Sequence, residues 1–91
     1  MPRKHMFVDG VVQGVGFRYY TVRCADELGV AGWTRNLRDG RVEIEAQADA
    51  ATLDAFLAAV RRGPAFARVD SVEVSERPEI AGDNEFRVRF G

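Results

Sequence analysis

Two stretches of helical periodicity, each entered from a stretch of alternating periodicity, constrain this 91-residue chain more than any other feature. From Phe17 to Leu28, Tyr20, Cys24 and Leu28 recur at four-residue spacing, with Phe17 and Ala25 on neighbouring rows; this predicts a helix that Gly29 stops. After Asp49, a good N-cap, Leu53, Phe56, Leu57 and Val60 make one apolar face that ends at Gly63-Pro64. Between the helices, Val30 to Leu37 and Arg41 to Gln47 are predicted strands joined by the turn Arg38-Asp39-Gly40. In the second of them Val42, Ile44 and Ala46 alternate with Arg41, Glu43, Glu45 and Gln47, the pattern of a half-buried hairpin strand. Lys4 to Val12 is a predicted first strand. Val69, Val72 and Val74 mark a fourth, with a break in alternation after Val69 that fits a bulge or a late start. Phe86, Val88 and Phe90 alternate with Arg87 and Arg89 in a short terminal strand.

The order βαββαβ plus a last β predicts an α+β ferredoxin-like sandwich, an antiparallel sheet with both helices on one face. Residues 1–91 are read as a single domain. Half of the 24 Leu, Ile, Val and Phe residues are Val, which suits pleated surfaces. Such a fold hosts unrelated functions, so chemistry has to come from particular residues.

Composition excludes several classes. A net charge of -1 lacks the basic footprint of a nucleic-acid binder. One Cys and one His leave no CxxC pair and no multi-histidine metal site, so no metal and no cofactor is expected. The longest uncharged run, Gly10 to Phe17, is eight residues, far short of the ~18–20 that span a bilayer. No apolar signal segment follows the basic N-terminus, so a cytoplasmic protein is expected, and a monomer.

The segment Gly10-Val11-Val12-Gln13-Gly14-Val15-Gly16-Phe17-Arg18 leaves a strand and enters a helix. Successive N–H groups in such a turn converge on an anion, and the helix N-terminus adds its positive dipole end. Arg18 lies just inside the helix, where its planar fork suits phosphate oxygens. A plain strand-to-helix turn with a solvated Arg has the same composition. Two other phosphate loops are excluded: no Gly-Lys-Ser/Thr ends the segment, and Tyr19 stands where GxGxxG needs its third Gly.

The run from Val8 to Arg18 resembles the first signature of the acylphosphatase family. Gly32-Trp33-Thr34-Arg35-Asn36-Leu37-Arg38-Asp39-Gly40-Arg41-Val42 resembles the second. The run at 67–74 is also similar, so the resemblance covers nearly the whole chain. Two positions depart: Thr34 stands where Ala, Val or Cys is usual, and Ala48 where Gly is usual at the end of the third strand.

The resemblance implies a phosphate-binding loop at Gln13, Gly14, Val15, Gly16 and Phe17, acting through backbone amides. It implies Arg18 as catalytic arginine and Asn36 as the catalytic residue that orients the attacking water. It also implies hydrolysis of a small-molecule acyl phosphate to a carboxylate and inorganic phosphate, without metal or phosphoenzyme. The chemistry is consistent with so small a site, because a carboxylate leaves readily. Holding the phosphoryl oxygens, stabilising charge and placing a water in line then suffice.

The alternative is a non-catalytic ferredoxin-like module that binds a ligand or RNA. Phe7 and the Arg41 to Gln47 strand lack the paired aromatics an RNA-recognition module needs. A place inside a larger carbamoyl-phosphate-handling protein is disfavoured by the short chain. His5 is read as a surface or edge histidine, Cys24 as a helix-face residue, and Trp33 as core or site-wall packing. Asp9 and Asp39 are read as turn residues, and Arg35, Arg38 and Arg41 as a solvated strand and turn surface.

Overall fold

The computed structural model describes residues 1–90. In chain order its elements are β1 (Arg3–Val11), α1 (Phe17–Leu28), β2 (Ala31–Asn36), β3 (Val42–Gln47), α2 (Ala50–Arg62), β4 (Arg68–Arg77) and β5 (Phe86–Val88). The strands form one sheet in the order β4-β1-β3-β2-β5. The first four pair antiparallel, as the ferredoxin-like reading expects. β5 instead joins β2 in parallel, so the sheet is mixed. The reason is connectivity. No hairpin leads into β5; the chain crosses from the β4 edge to the opposite edge past Arg3 and Gln47, and Gln47 exchanges hydrogen bonds with the backbone of Ile80.

The core lies between the sheet and the two helices. Met6 and Val8 of β1 and Val42, Ile44 and Ala46 of β3 meet Phe17 and Ala25 of α1 and Leu53, Phe56 and Val60 of α2, all buried. The α2 face follows its predicted period. The α1 stripe is turned by one residue from the expected row: Phe17, Thr21 and Ala25 are buried, while Leu28 is exposed. Thr21 tolerates burial because its hydroxyl donates to the Phe17 carbonyl at 2.8 Å. The Tyr20 hydroxyl donates to Ala59 O at 2.8 Å and ties α1 to α2.

The break in alternation after Val69 is a bulge. Asp9 pairs with Ser71 but Gly10 with Val69, so Asp70 is the extra residue on β4. Gly10, at φ 134°, permits this crossing: a Cβ there would lie 2.1 Å from the Arg68 carbonyl oxygen. Ala48 fits the end of β3 without a positive φ, and its N–H donates to Pro2 O at 3.3 Å. Thr34 is fully buried with no partner for its hydroxyl oxygen among the described residues, a cost that a small apolar residue would avoid. The terminal strand stops at Val88. Arg89 N–H still donates to Thr34 O at 2.9 Å, but Phe90 lies beyond the ladder and is exposed.

The sheet face away from the helices corrects the reading of His5. This residue is buried, not at the surface, and its Nε2 donates to Glu43 Oε2 at 2.6 Å, across the β1–β3 pairing. Arg35 Nε donates to the other oxygen of Glu43, also at 2.6 Å. Burial alone would raise the Glu43 carboxyl, but these two hydrogen bonds and charges hold it below its ordinary range. Sequence proximity gave no sign of the pairing, because Glu43 lies 38 residues away. Arg3, likewise buried, bonds Glu45, Gln47 and Asp83. Trp33 packs on this face and donates from Nε1 to Glu45 Oε2 at 3.0 Å, so it is no wall of the phosphate loop.

Candidate active site

The loop between β1 and α1 is shaped by alternating backbone conformations. Gly14 (φ 74°) and Gly16 (φ 78°) sit in the left-handed region, while no non-glycine residue among those described has positive φ. Neither glycine is crowded: a Cβ on either would meet nothing within 4 Å. Their conformation, not lack of room, requires them, and the space they border is open. Among the described residues, the N–H groups of Gly14, Val15 and Gly16 donate to no protein acceptor. Gly16 then caps α1 with no side-chain hydrogen bond, and the first turn of α1 holds no acidic residue. Unspent N–H donors in a turn that feeds a helix N-terminus form an anion cradle.

Arg18 is the second residue of α1 and stands beside that cradle. Its side chain makes no ion pair among the described residues; its contact is the Phe90 ring, 5.4 Å from guanidinium carbon to centroid. Arg3, Arg35, Arg41 and Arg68, in contrast, each bond a carboxylate. Asn36 ends β2, opposite Val42. Its Oδ1 is buried and accepts from no protein group among the described residues. An unsatisfied buried carbonyl costs about 1–3 kcal/mol, so the site holds one acceptor in reserve.

The loop and the β2–β3 hairpin are locked together by Gln13. Its Nε2 donates to Leu37 O at 2.6 Å and to Arg41 O at 2.8 Å. The same turn is closed by Leu37 N–H to Arg41 O at 2.8 Å and by Asp39, which accepts from Arg41 N–H. That backbone hydrogen bond is the first cause holding the Asp39 carboxyl below its ordinary range. Asp39 is thus a turn residue, as expected, and so is Asp9, which accepts from Gly10 N–H.

Gly14, Gly16, Phe17, Arg18 and Asn36 line one cavity of about 430 Å³. Gln13 and Val15 do not line it. Gln13 braces the loop from behind, and Val15 packs against the core. Sequence reasoning missed the rest of the lining, Val12, Tyr19, Val22, Val88 and Phe90. The one available signal was the alternation of Val88 with Phe90 at the chain end, which pointed to a strand face without saying what it faced. Among the described residues no group of three or more His, Cys, Asp or Glu is placed to hold a metal ion.

The family model described as Acylphosphatase matches residues 4–88. An acylphosphatase of Methylococcus capsulatus is 50% identical over 88 residues, covering 97% of this chain and 96% of its own. The crystal structure of acylphosphatase from Bacillus subtilis superposes with a TM-score of 0.94 at 40% identity, over 99% of this chain and all of that one. The crystal structure of HypF from T. kodakarensis matches the whole of this chain with 12% of its own length, at a TM-score of 0.86 and 33% identity.

Proposed function

The chain belongs to the acylphosphatase family and hydrolyses the carboxyl–phosphate anhydride bond of acyl phosphates; from that premise we propose how its residues divide the work. The N–H groups of the loop Gln13 to Phe17 hold the phosphoryl oxygens. Arg18 brings a bidentate positive charge to the same oxygens as negative charge builds on them. Asn36 aims the water. A turn of its amide about the soft terminal torsion exposes Oδ1 to the cavity, where a water O–H supplies the partner it lacks. The water oxygen attacks phosphorus in line as the bond to the acyl oxygen breaks. The electron pair of that bond leaves on the carboxylate, and the water's proton passes to the phosphate product or to solvent. No strong base is needed for so good a leaving group, and N–H donors with one guanidinium meet the charge without a metal ion.

The observation that carries this reading is the unpaired Arg18 beside a loop of unspent N–H donors, facing Asn36 across one cavity. The same reading makes the protein a cytoplasmic monomer that takes a small-molecule substrate and no nucleic acid. No helix is long and apolar enough to cross a membrane among the described residues. The rings on the open sheet face offer no bare stacking platform: Arg41 covers Phe7, and Arg35 and Arg89 flank Trp33. The test is hydrolysis of acetyl phosphate with and without a chelator. Turnover that is indifferent to chelator, with competitive inhibition by inorganic phosphate and little activity on phosphate monoesters, is expected. Loss of turnover with chelator, restored by added metal, would overturn the metal-free assignment.

A further inference from the structure

The cavity has a second half that the phosphoryl chemistry leaves unused. It is much larger than one phosphoryl group, and beyond Arg18 and Asn36 its side-chain wall is mostly apolar, with the Tyr19 hydroxyl its one further polar side-chain group among the described residues. Tyr19 and Val22 are one helical turn apart on α1 and so share a face. Val88 ends β5, and Phe90 follows it on the same side of the chain. Tyr19 and Phe90 are 77% and 83% exposed, a cost in water that nothing in the fold recovers. The Phe90 ring also touches the Arg18 guanidinium, so the apolar wall starts where the anion cradle ends.

Resting on the acylphosphatase reading above, we propose that Tyr19, Val22, Val88 and Phe90 form the acyl-binding half of the site, and that it favours substrates whose acyl group is a hydrocarbon chain. The phosphoryl end in the cradle fixes the direction in which the acyl group must leave. Among the described residues, the cavity lining beyond Arg18 and Asn36 that can receive it is this wall. No charged side chain other than Arg18 lines the cavity among the described residues, so a charged acyl group finds little to pair with along this wall.

Straight-chain acyl phosphates test this cleanly, because acetyl, butyryl and hexanoyl phosphate release carboxylates of similar acidity and differ mainly in apolar length. Burial of a methylene is worth up to about 0.8 kcal/mol, or about fourfold; on an open wall about twofold per methylene is expected in kcat/KM. Tyr19→Ala, which removes an exposed ring, and Val22→Thr, which keeps the side chain's shape, should each reduce the hexanoyl-to-acetyl ratio of kcat/KM by about threefold or more. Inhibition by inorganic phosphate, measured on the same variants, should persist, since the cradle is untouched. A flat series in the wild type with acetyl phosphate turned over would overturn the acyl subsite and leave the acylphosphatase reading standing. So would variants that lose both substrates equally along with phosphate inhibition. No turnover of acetyl phosphate by the wild type would remove both.

Discussion

The two helices pack on the same core, yet they are built by opposite rules. α2 is capped by Asp49, whose carboxylate accepts from Thr52 N–H at 2.9 Å, and it carries Arg61 and Arg62 in its last turn. Both features complement the helix dipole. α1 has a glycine cap without a side-chain hydrogen bond, a cation, Arg18, in its first turn, and Asp26 and Glu27 in its last. The glycine cap forgoes a side-chain hydrogen bond, and each of the three charges opposes the dipole at a cost of about 0.3–1 kcal/mol. A chain that builds one helix so regularly does not misbuild the other by default. Local rules are commonly broken where function needs them broken, and on the proposed function the open, doubly positive end of α1 is the end that an anion completes.

The contrast breaks most visibly at Arg18. Arg18→Ala should lower kcat/KM by about 10²–10³-fold, the scale for losing one preorganised donor to developing charge. The folded state should not suffer, since a cation leaves a positive helix end. Arg18→Lys should rescue poorly, because an ammonium cannot present two parallel N–H groups. Near-normal kinetics in Arg18→Lys would mean that a point charge suffices. Next comes Asn36. Asn36→Ala should lower turnover by about 100-fold, the scale for misplacing a reactant by ~1 Å. Competitive inhibition by phosphate should hardly move, which separates aiming the water from holding the anion. Intact turnover would remove Asn36 from the mechanism.

The same comparison predicts the reverse at α2. Asp49→Ala should lower the melting temperature by several degrees and leave the kinetics of the folded enzyme alone. The smallest effect concerns acid. Hydrogen bonds from the Thr52 backbone hold the Asp49 carboxyl below its ordinary value of 3.8. Its stabilising contribution is therefore present above that value and is lost as pH falls through the lower folded one. Asp49→Asn keeps an acceptor for Thr52 N–H but does not titrate. It should match the wild type near neutrality and show a shallower loss of stability below about pH 4. Parallel acid curves would remove Asp49 from the pH response.

Most of the fold was legible because its signals are local. The Leu53, Phe56 and Val60 stripe, the Val42, Ile44 and Ala46 alternation and the break after Val69 each carry their meaning within a few residues. Gly14, Gly16, Arg18 and Asn36 were legible as a set only through the two signatures. Composition left the loop indistinguishable from an ordinary turn, and Asn36 from an ordinary turn residue. What stayed hidden depends on distant partners. His5 had no visible neighbour because Glu43 comes from another strand. The parallel entry of β5 depends on a crossover that no periodicity encodes. Gln13 was read as a cradle residue through its backbone, while its side chain braces the β2–β3 turn 24 residues away. The apolar lining was missed for the same reason, since Tyr19 and Phe90 come to border one cavity only once the sheet has formed.

On the proposed function the open end of α1, and not the arginine-rich sheet face, receives the phosphoryl group. Titration of the isotope-labelled protein with inorganic phosphate, followed by amide NMR shifts, tests it directly. Saturable shifts centred on Gln13 to Arg18 are expected, with weaker ones at Asn36 and none at Arg3, Arg35 or Arg87; in Arg18→Ala the affinity falls. Shifts centred on the sheet face, or no saturable shift at the loop, would contradict it.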